Sequence, residues 1–245
     1  MENRGKRVRR QILAGRFAVL FTAFLTFLFI RVFRYRFVNL REFRREMKRI
    51  REEHEGPWLI CPNHLTMIDS VVAAFAMAPL REYILHFRRL AWNLPERDNF
   101  QKNPALALLC YLCKCLPVHR GGSRDEVRET LDTCTLLLAR GESIVIFPEG
   151  GRSRTGRVDR EKASYGVGRL YAQSENCRIL CLYLRGEGQD TWSAVPKRGE
   201  RFTVAAAVLT PDRGARGLRA QRACAEAIMD RLIEMEEDWF RGRGK

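Results

Sequence analysis

From about residue 55 the chain alternates short apolar runs with longer stretches of helical periodicity, and this alternation confines it to an α/β architecture. The apolar runs predict strands over 58–61, 83–87, 115–119, 144–147, 179–184 and 202–208, and the periodic stretches predict helices over 68–77, 104–114, 124–140, 162–173 and 218–239. Such an order folds as a mixed, largely parallel sheet flanked by helices. The helix over 124–140 carries both end signals: Ser123 with Glu126 makes a capping-box pair, and Gly141 stands just past the last turn. At 245 residues the chain is long enough for one sizeable α/β body with a small appendage and too short for two. No internal repeat or low-complexity tract interrupts it.

The appendage is N-terminal. Arg4, Lys6, Arg7, Arg9, Arg10 and Arg16 precede an uncharged run over 17–30, and Arg31, Arg34 and Arg36 follow it. A signal peptide would show a small-residue cleavage site where these arginines stand, so no cleavage is expected. The uncharged run reaches only roughly 21 Å as a helix, short of the ~30 Å hydrocarbon core. With basic clusters on both sides, it is expected to dip into one leaflet and return. Over 37–50, Phe37, Leu40, Phe43, Met47 and Ile50 recur at three- and four-residue steps among Arg41, Arg44, Arg45, Lys48 and Arg49. This reads as an interfacial basic amphipathic helix; the alternative is an ordinary surface helix packed on the body. The expected organisation is a basic, membrane-interfacial helical segment over 1–54 and an α/β domain over 55–245.

A net charge of +15 favours an anionic partner: nucleic acid, an anionic lipid surface, or a phosphorylated and acidic substrate carrier. Nucleic acid leaves the uncharged run without a purpose, and no zinc-finger spacing or aromatic-basic signature supports it. The eight cysteines lie mostly inside apolar runs, as buried thiols of a reducing compartment do. Cys110, Cys113 and Cys115 are closely spaced, but no second pair follows at zinc-ribbon distance, and no metal is expected.

Two blocks carry chemistry. The first is Asn63-His64-Leu65-Thr66-Met67-Ile68-Asp69-Ser70. Transfer of an acyl group to an alcohol needs a base near the hydroxyl, and histidine suits that task at neutral pH. A carboxylate on the other ring nitrogen fixes the tautomer, and Asp69 can supply it. Thr66 and Asp69 equally fit a helix-capping pair, in which Asp69 would only satisfy backbone N–H groups. The second block, Phe147-Pro148-Glu149-Gly150-Gly151-Arg152-Ser153-Arg154-Thr155-Gly156, follows a predicted strand with glycines, hydroxyls and two guanidinium groups, an inventory suited to phosphate or to a basic, flexible turn. Neither a Walker phosphate loop nor a Gly-x-Ser-x-Gly elbow is present.

Taken together, the two blocks resemble those of the glycerolipid acyltransferases, whose best-known members acylate 1-acylglycerol-3-phosphate. The resemblance covers residues 58–184. It implies His64 as general base, Asp69 as its orienting partner, and Asn63, Glu149, Gly150, Gly151, Arg152 and Ser153 in the acceptor and phosphate site. A further block is matched by Leu116-Pro117-Val118-His119-Arg120, with Arg120 as the phosphate-holding basic residue, Lys114 where the family has glycine and His119 where it has an acid. The last block, Ile179-Leu180-Cys181-Leu182-Tyr183-Leu184, lacks the usual proline. The implied reaction moves a fatty acyl group from a thioester, acyl-CoA or acyl-ACP, to lysophosphatidic acid, giving phosphatidic acid, with no metal or redox cofactor. Another lysophospholipid, a lyso-aminolipid or glycerol 3-phosphate are alternative acceptors, and a non-catalytic lipid-binding relative is the alternative class. The implied location is the cytoplasmic face of the inner or cell membrane.

Overall fold

The computed structural model describes residues 2–100, 102–119, 121–212 and 217–243. The chain runs α1 (Glu2–Val32), β1 (Arg36–Phe37), α2 (Leu40–Glu53), β2 (Trp58–Pro62), α3 (Asp69–Met77), α4 (Leu80–Leu85), β3 (Trp92–Asn93), α5 (Arg97–Phe100), α6 (Pro104–Leu112), α7 (Arg124–Ala139), β4 (Ile144–Val145), α8 (Gly166–Ala172), β5 (Arg178–Gly186), β6 (Arg201–Leu209) and α9 (Gly217–Arg243). The strands form one sheet in the order β1-β6-β5-β2-β4-β3, parallel throughout except for the β5–β6 pair. This is the mixed, largely parallel sheet the alternation predicts.

β2 and β5 lie at its centre and read as unbroken apolar runs because both of their faces are covered. On one face Leu59, Ile179 and Cys181 pack with Leu137 and Leu138 of α7, Leu170 of α8, and Ile228 and Leu232 of α9. On the other, Ile60, Leu180 and Leu182 pack with Phe43, Met47 and Ile50 of α2 and Ala73 and Ala76 of α3. The apolar stripe of α2 is thus spent on the sheet. The interfacial reading of 37–50 gives way to that of a helix packed on the body, with Arg41, Arg45, Lys48 and Arg49 left in solvent.

The uncharged run over 17–30 is likewise not re-entrant. It is the middle of α1, a single 31-residue helix whose Arg16 and Arg31 stay exposed, so the helix can lengthen in both directions without burying charge. Its inner stripe of Val8, Gln11, Gly15, Val19 and Thr22 is buried. Gly15 is required there: a Cβ would lie 2.6 Å from both Leu112 O and Phe87 Cζ. Gln11 secures the contact by donating to Tyr111 O at 3.0 Å and Cys115 O at 2.8 Å. The outer stripe exposes Phe17 (88%), Leu20, Phe21, Phe24, Phe27 and Leu28. By length and composition α1 could cross a membrane.

Two predicted strands fail. Residues 83–87 fall on α4 and the 3₁₀ turn Phe87–Arg89, where Tyr83 and Phe87 are buried and Leu85 is exposed, a helical rather than an alternating pattern. Residues 115–119 pair only through isolated bridges, Asn93 with Cys115 and Glu96 with Val118; between them stands Pro117, which has no N–H to give a ladder.

Candidate active site

β2 and β4 are parallel neighbours, with Leu59 opposite Ile144 and Ile60 opposite Val145, so the segments leaving their carboxyl ends emerge side by side. This brings together two blocks that lie 85 positions apart. The His64 N–H donates to Glu149 Oε1 at 2.7 Å, and the Ser153 N–H donates to His64 O at 2.8 Å. Gly150 makes the turn between them at φ 64°, in the left-handed region.

The dyad is assembled. His64 Nδ1 lies 3.0 Å from Asp69 Oδ2, and the same oxygen accepts the Leu65 and Thr66 N–H groups, each at 2.7 Å. Thr66 Oγ1 donates to Asp69 Oδ1. Asp69 therefore serves the His64 ring and the backbone of the His64 loop together, while α3 itself starts after Ile68 without a side-chain cap. As the first residue of α3, its carboxylate also lies at the positive end of that helix. A carboxylate can only accept here, so the proton sits on Nδ1 and leaves Nε2 as the basic nitrogen. The ring stacks on Phe147 with centroids 3.9 Å apart, which fixes its plane as Asp69 fixes its rotation.

His64 opens into a groove of about 960 Å³. Its apolar wall is built by Leu25 and Phe29 of α1, Leu106 and Leu109 of α6, and Ile68 and Val71. Its polar mouth is formed by Gly151, Arg152, Arg154 and Trp192. Arg152 lies 5.0 Å above the Trp192 ring, and among the described residues no carboxylate pairs with it, so its donor fork is available to an anion. Trp192 comes from the segment between β5 and β6, which is fastened to the His64 loop by Ser193 N–H to Leu65 O at 3.2 Å and Met67 N–H to Ala194 O at 3.1 Å.

Among the described residues, Gly151 and Arg152 are the expected acceptor-site residues that line the groove. Asn63 is buried and spends its amide on Leu184, accepting from the N–H at 2.7 Å and donating to the carbonyl at 3.0 Å. Glu149 anchors the His64 backbone, and Ser153 Oγ donates to Arg157 O at 2.5 Å. These three bond to the loops that present the site. Arg120 lies outside the described residues.

Lys114, at the family's glycine position, has φ 56°, which explains why glycine suits that place. The lysine's buried ammonium meets Glu142 at 2.6 Å and Leu90 O at 2.8 Å, close to the rings of Phe87 and Trp92. Desolvation lowers its pKa, and the Glu142 carboxylate partly restores it. Trp192 and the groove-lining residues of α1 and α6 escaped the sequence reading: Trp192 is held by backbone bonds, which leave no side-chain signature, and the helices carry an ordinary apolar pattern.

Residues 34–185 match the family model described as Acyltransferase, the family of 1-acylglycerol-3-phosphate acyltransferases. Comparison with curated proteins gives no match.

Proposed function

The chain belongs to the acyltransferase family, and from that premise we propose that it transfers a fatty acyl group from a thioester to the free hydroxyl of a lysolipid phosphate, lysophosphatidic acid foremost, giving phosphatidic acid. The observation that carries this reading is the junction at His64. A base oriented by Asp69 sits where an apolar groove meets two groove-lining arginines, so one molecule can place its chain, hydroxyl and phosphate together.

His64 Nε2 takes the proton from the acceptor hydroxyl as its oxygen attacks the thioester carbonyl. The tetrahedral intermediate collapses with cleavage of the carbon–sulfur bond, and the proton held on His64 passes to the departing thiolate. Asp69 stays ionised throughout and stabilises the imidazolium. Arg152, braced by Trp192, and Arg154 hold the acceptor phosphate. The donor is acyl-CoA or acyl-ACP, both anionic carriers suited to the charge of +15.

The proposed seat is the cytoplasmic face of a membrane. Val8 near one end of α1 and Ile30 near the other are both buried in the body's apolar clusters, so the helix would lie along the interface with Phe17, Phe21 and Phe24 in the lipid rather than cross it. The groove, walled partly by α1, would then take lipid from that side.

The acceptor is tested by offering lysophosphatidic acid and monoacylglycerol in neutral vesicles, with palmitoyl-CoA as donor and products read by mass spectrometry. Acylation of the phosphate-bearing acceptor, with KM raised at least tenfold by Arg152→Ala, is expected. Equal use of monoacylglycerol would remove the phosphate from the reading.

A further inference from the structure

A second concavity, of about 800 Å³, lies at the opposite end of the sheet from His64. Trp58, the first residue of β2, and Gly141 and Ser143, just ahead of β4, line it, whereas His64 follows the carboxyl end of β2. The five residues of β2 between them span roughly 16 Å, so the two cavities are separate sites. Nothing in the proposed acyl transfer uses this one.

Its chemistry is lopsided. The rim carries seven cations, Arg44, Arg45, Lys48, Arg51, Arg81, Arg88 and Arg89, against the three carboxylates Glu52, Glu55 and Glu82. Three of these cations are already paired with acids: Arg45 with Glu42, Lys48 with Glu52 and Arg89 with Glu82. Arg88 donates to Arg140 O and lies 3.9 Å from Glu142. The other three are not paired. Arg44 turns to the carbonyls of Phe75 and Ala76 at 2.6 and 3.3 Å and lies over the Phe75 ring, and Arg51 turns to Met77 O at 3.3 Å. Among the described residues no carboxylate lies within ion-pair distance of Arg44, Arg51 or Arg81. Arg44 and Arg51 are partly buried, and desolvation lowers the pKa of both, an effect that the more distant Glu82 and Glu52 only partly offset at Arg51.

The floor is apolar, with Met47, Trp58, Met77 and Tyr83 beneath the guanidinium groups. One wall is α4, through Arg81, Glu82 and Tyr83, and this helix packs on α1. Guanidinium forks match phosphate oxygens in pairs, and a floor of this kind suits hydrocarbon better than water. We infer that this cavity binds the phosphate head of an anionic amphiphile, its phosphate on Arg44, Arg51 and Arg81 and the first part of its chain on Trp58 and Met77. The site stands independently of the reading of His64.

The test titrates the full chain with dodecyl phosphate below its micellar concentration and counts bound molecules by native mass spectrometry. Arg152→Ala with Arg154→Ala disables the catalytic groove, and this variant is expected to keep one bound molecule. Adding Arg51→Gln and Arg81→Gln is expected to weaken that binding at least tenfold. Because Arg51 braces the end of α3, Arg81→Gln alone, at an exposed residue, serves as a second variant with the same expected direction. Unchanged binding in folded variants would overturn the inference, as would equal binding of dodecyltrimethylammonium. Competition by inorganic phosphate as strong as by dodecyl phosphate would overturn the amphiphile. Loss of the groove molecule alone, with this one kept, would support the site whatever becomes of the acyltransfer reading.

Discussion

Asp69 Oδ2 takes three contacts at once, from the His64 ring and from the N–H groups of Leu65 and Thr66, and each depends on its negative charge or its accepting geometry. Asp69→Asn presents an N–H₂ to some of these donors and releases the tautomer. We expect kcat to fall by about two to four orders of magnitude with KM little changed, read from steady-state kinetics beside a thermal melt. Trp192 acts on the acceptor instead. Its ring braces Arg152, an exposed cation–π contact worth about 0.5–1 kcal/mol, so Trp192→Ala should raise KM for the phosphate-bearing acceptor roughly two- to fivefold at unchanged kcat, and Trp192→Phe should restore it. An equal fall in kcat would place Trp192 in the chemistry. At this scale the sequence singled out His64 and Asp69, which the fold brings to 3.0 Å, and Arg152, which it places on the same groove, because each stands at fixed spacing within a short block. It did not show that Asn63 and Ser153 serve the backbone, since an amide or hydroxyl reads the same whether it meets a ligand or a neighbouring carbonyl.

Helix α1 shows what periodicity could and could not reveal. Its apolar residues cover more than one face, and only the close approach of Gly15 to Leu112 and Phe87 shows which face meets the protein. Gly15→Leu should push α1 away from α6, distort the groove wall at Leu25 and Phe29, and cost about 1–3 kcal/mol by denaturant titration, with activity falling further than stability alone accounts for. Unchanged activity and stability would show that the contact is slack. α2 was ambiguous from sequence for a physical reason: an amphipathic stripe fits a sheet as well as a membrane, and only the exposed apolar area opposite it decides. α4 was misread because Tyr83, Ile84 and Leu85 favour strands, whereas burial of Tyr83 and Phe87 four positions apart follows the helix.

For the whole molecule, charge and hydrocarbon act together on the membrane. Phe17→Asp with Phe24→Asp removes apolar contact from the outer stripe of α1 without touching its buried stripe. This variant should leave vesicles for the supernatant in sedimentation assays while its melting temperature stays within a degree or two, and unaltered sedimentation would return the binding to charge alone. The core makes a separate prediction. Burial pushes the Cys134 and Cys181 thiols up to about 12, so at pH 8 both should stay protonated and unalkylated by iodoacetamide in the native state and react after denaturation, as mass spectrometry would show. The central claim, that His64 is the base of an acyl transfer, is tested most directly by measuring product from purified protein in vesicles with lysophosphatidic acid and palmitoyl-CoA, wild type beside His64→Ala. The account predicts phosphatidic acid from the wild type and a rate lower by about two to four orders of magnitude in a folded His64→Ala protein. Product from His64→Ala at the wild-type rate would contradict it.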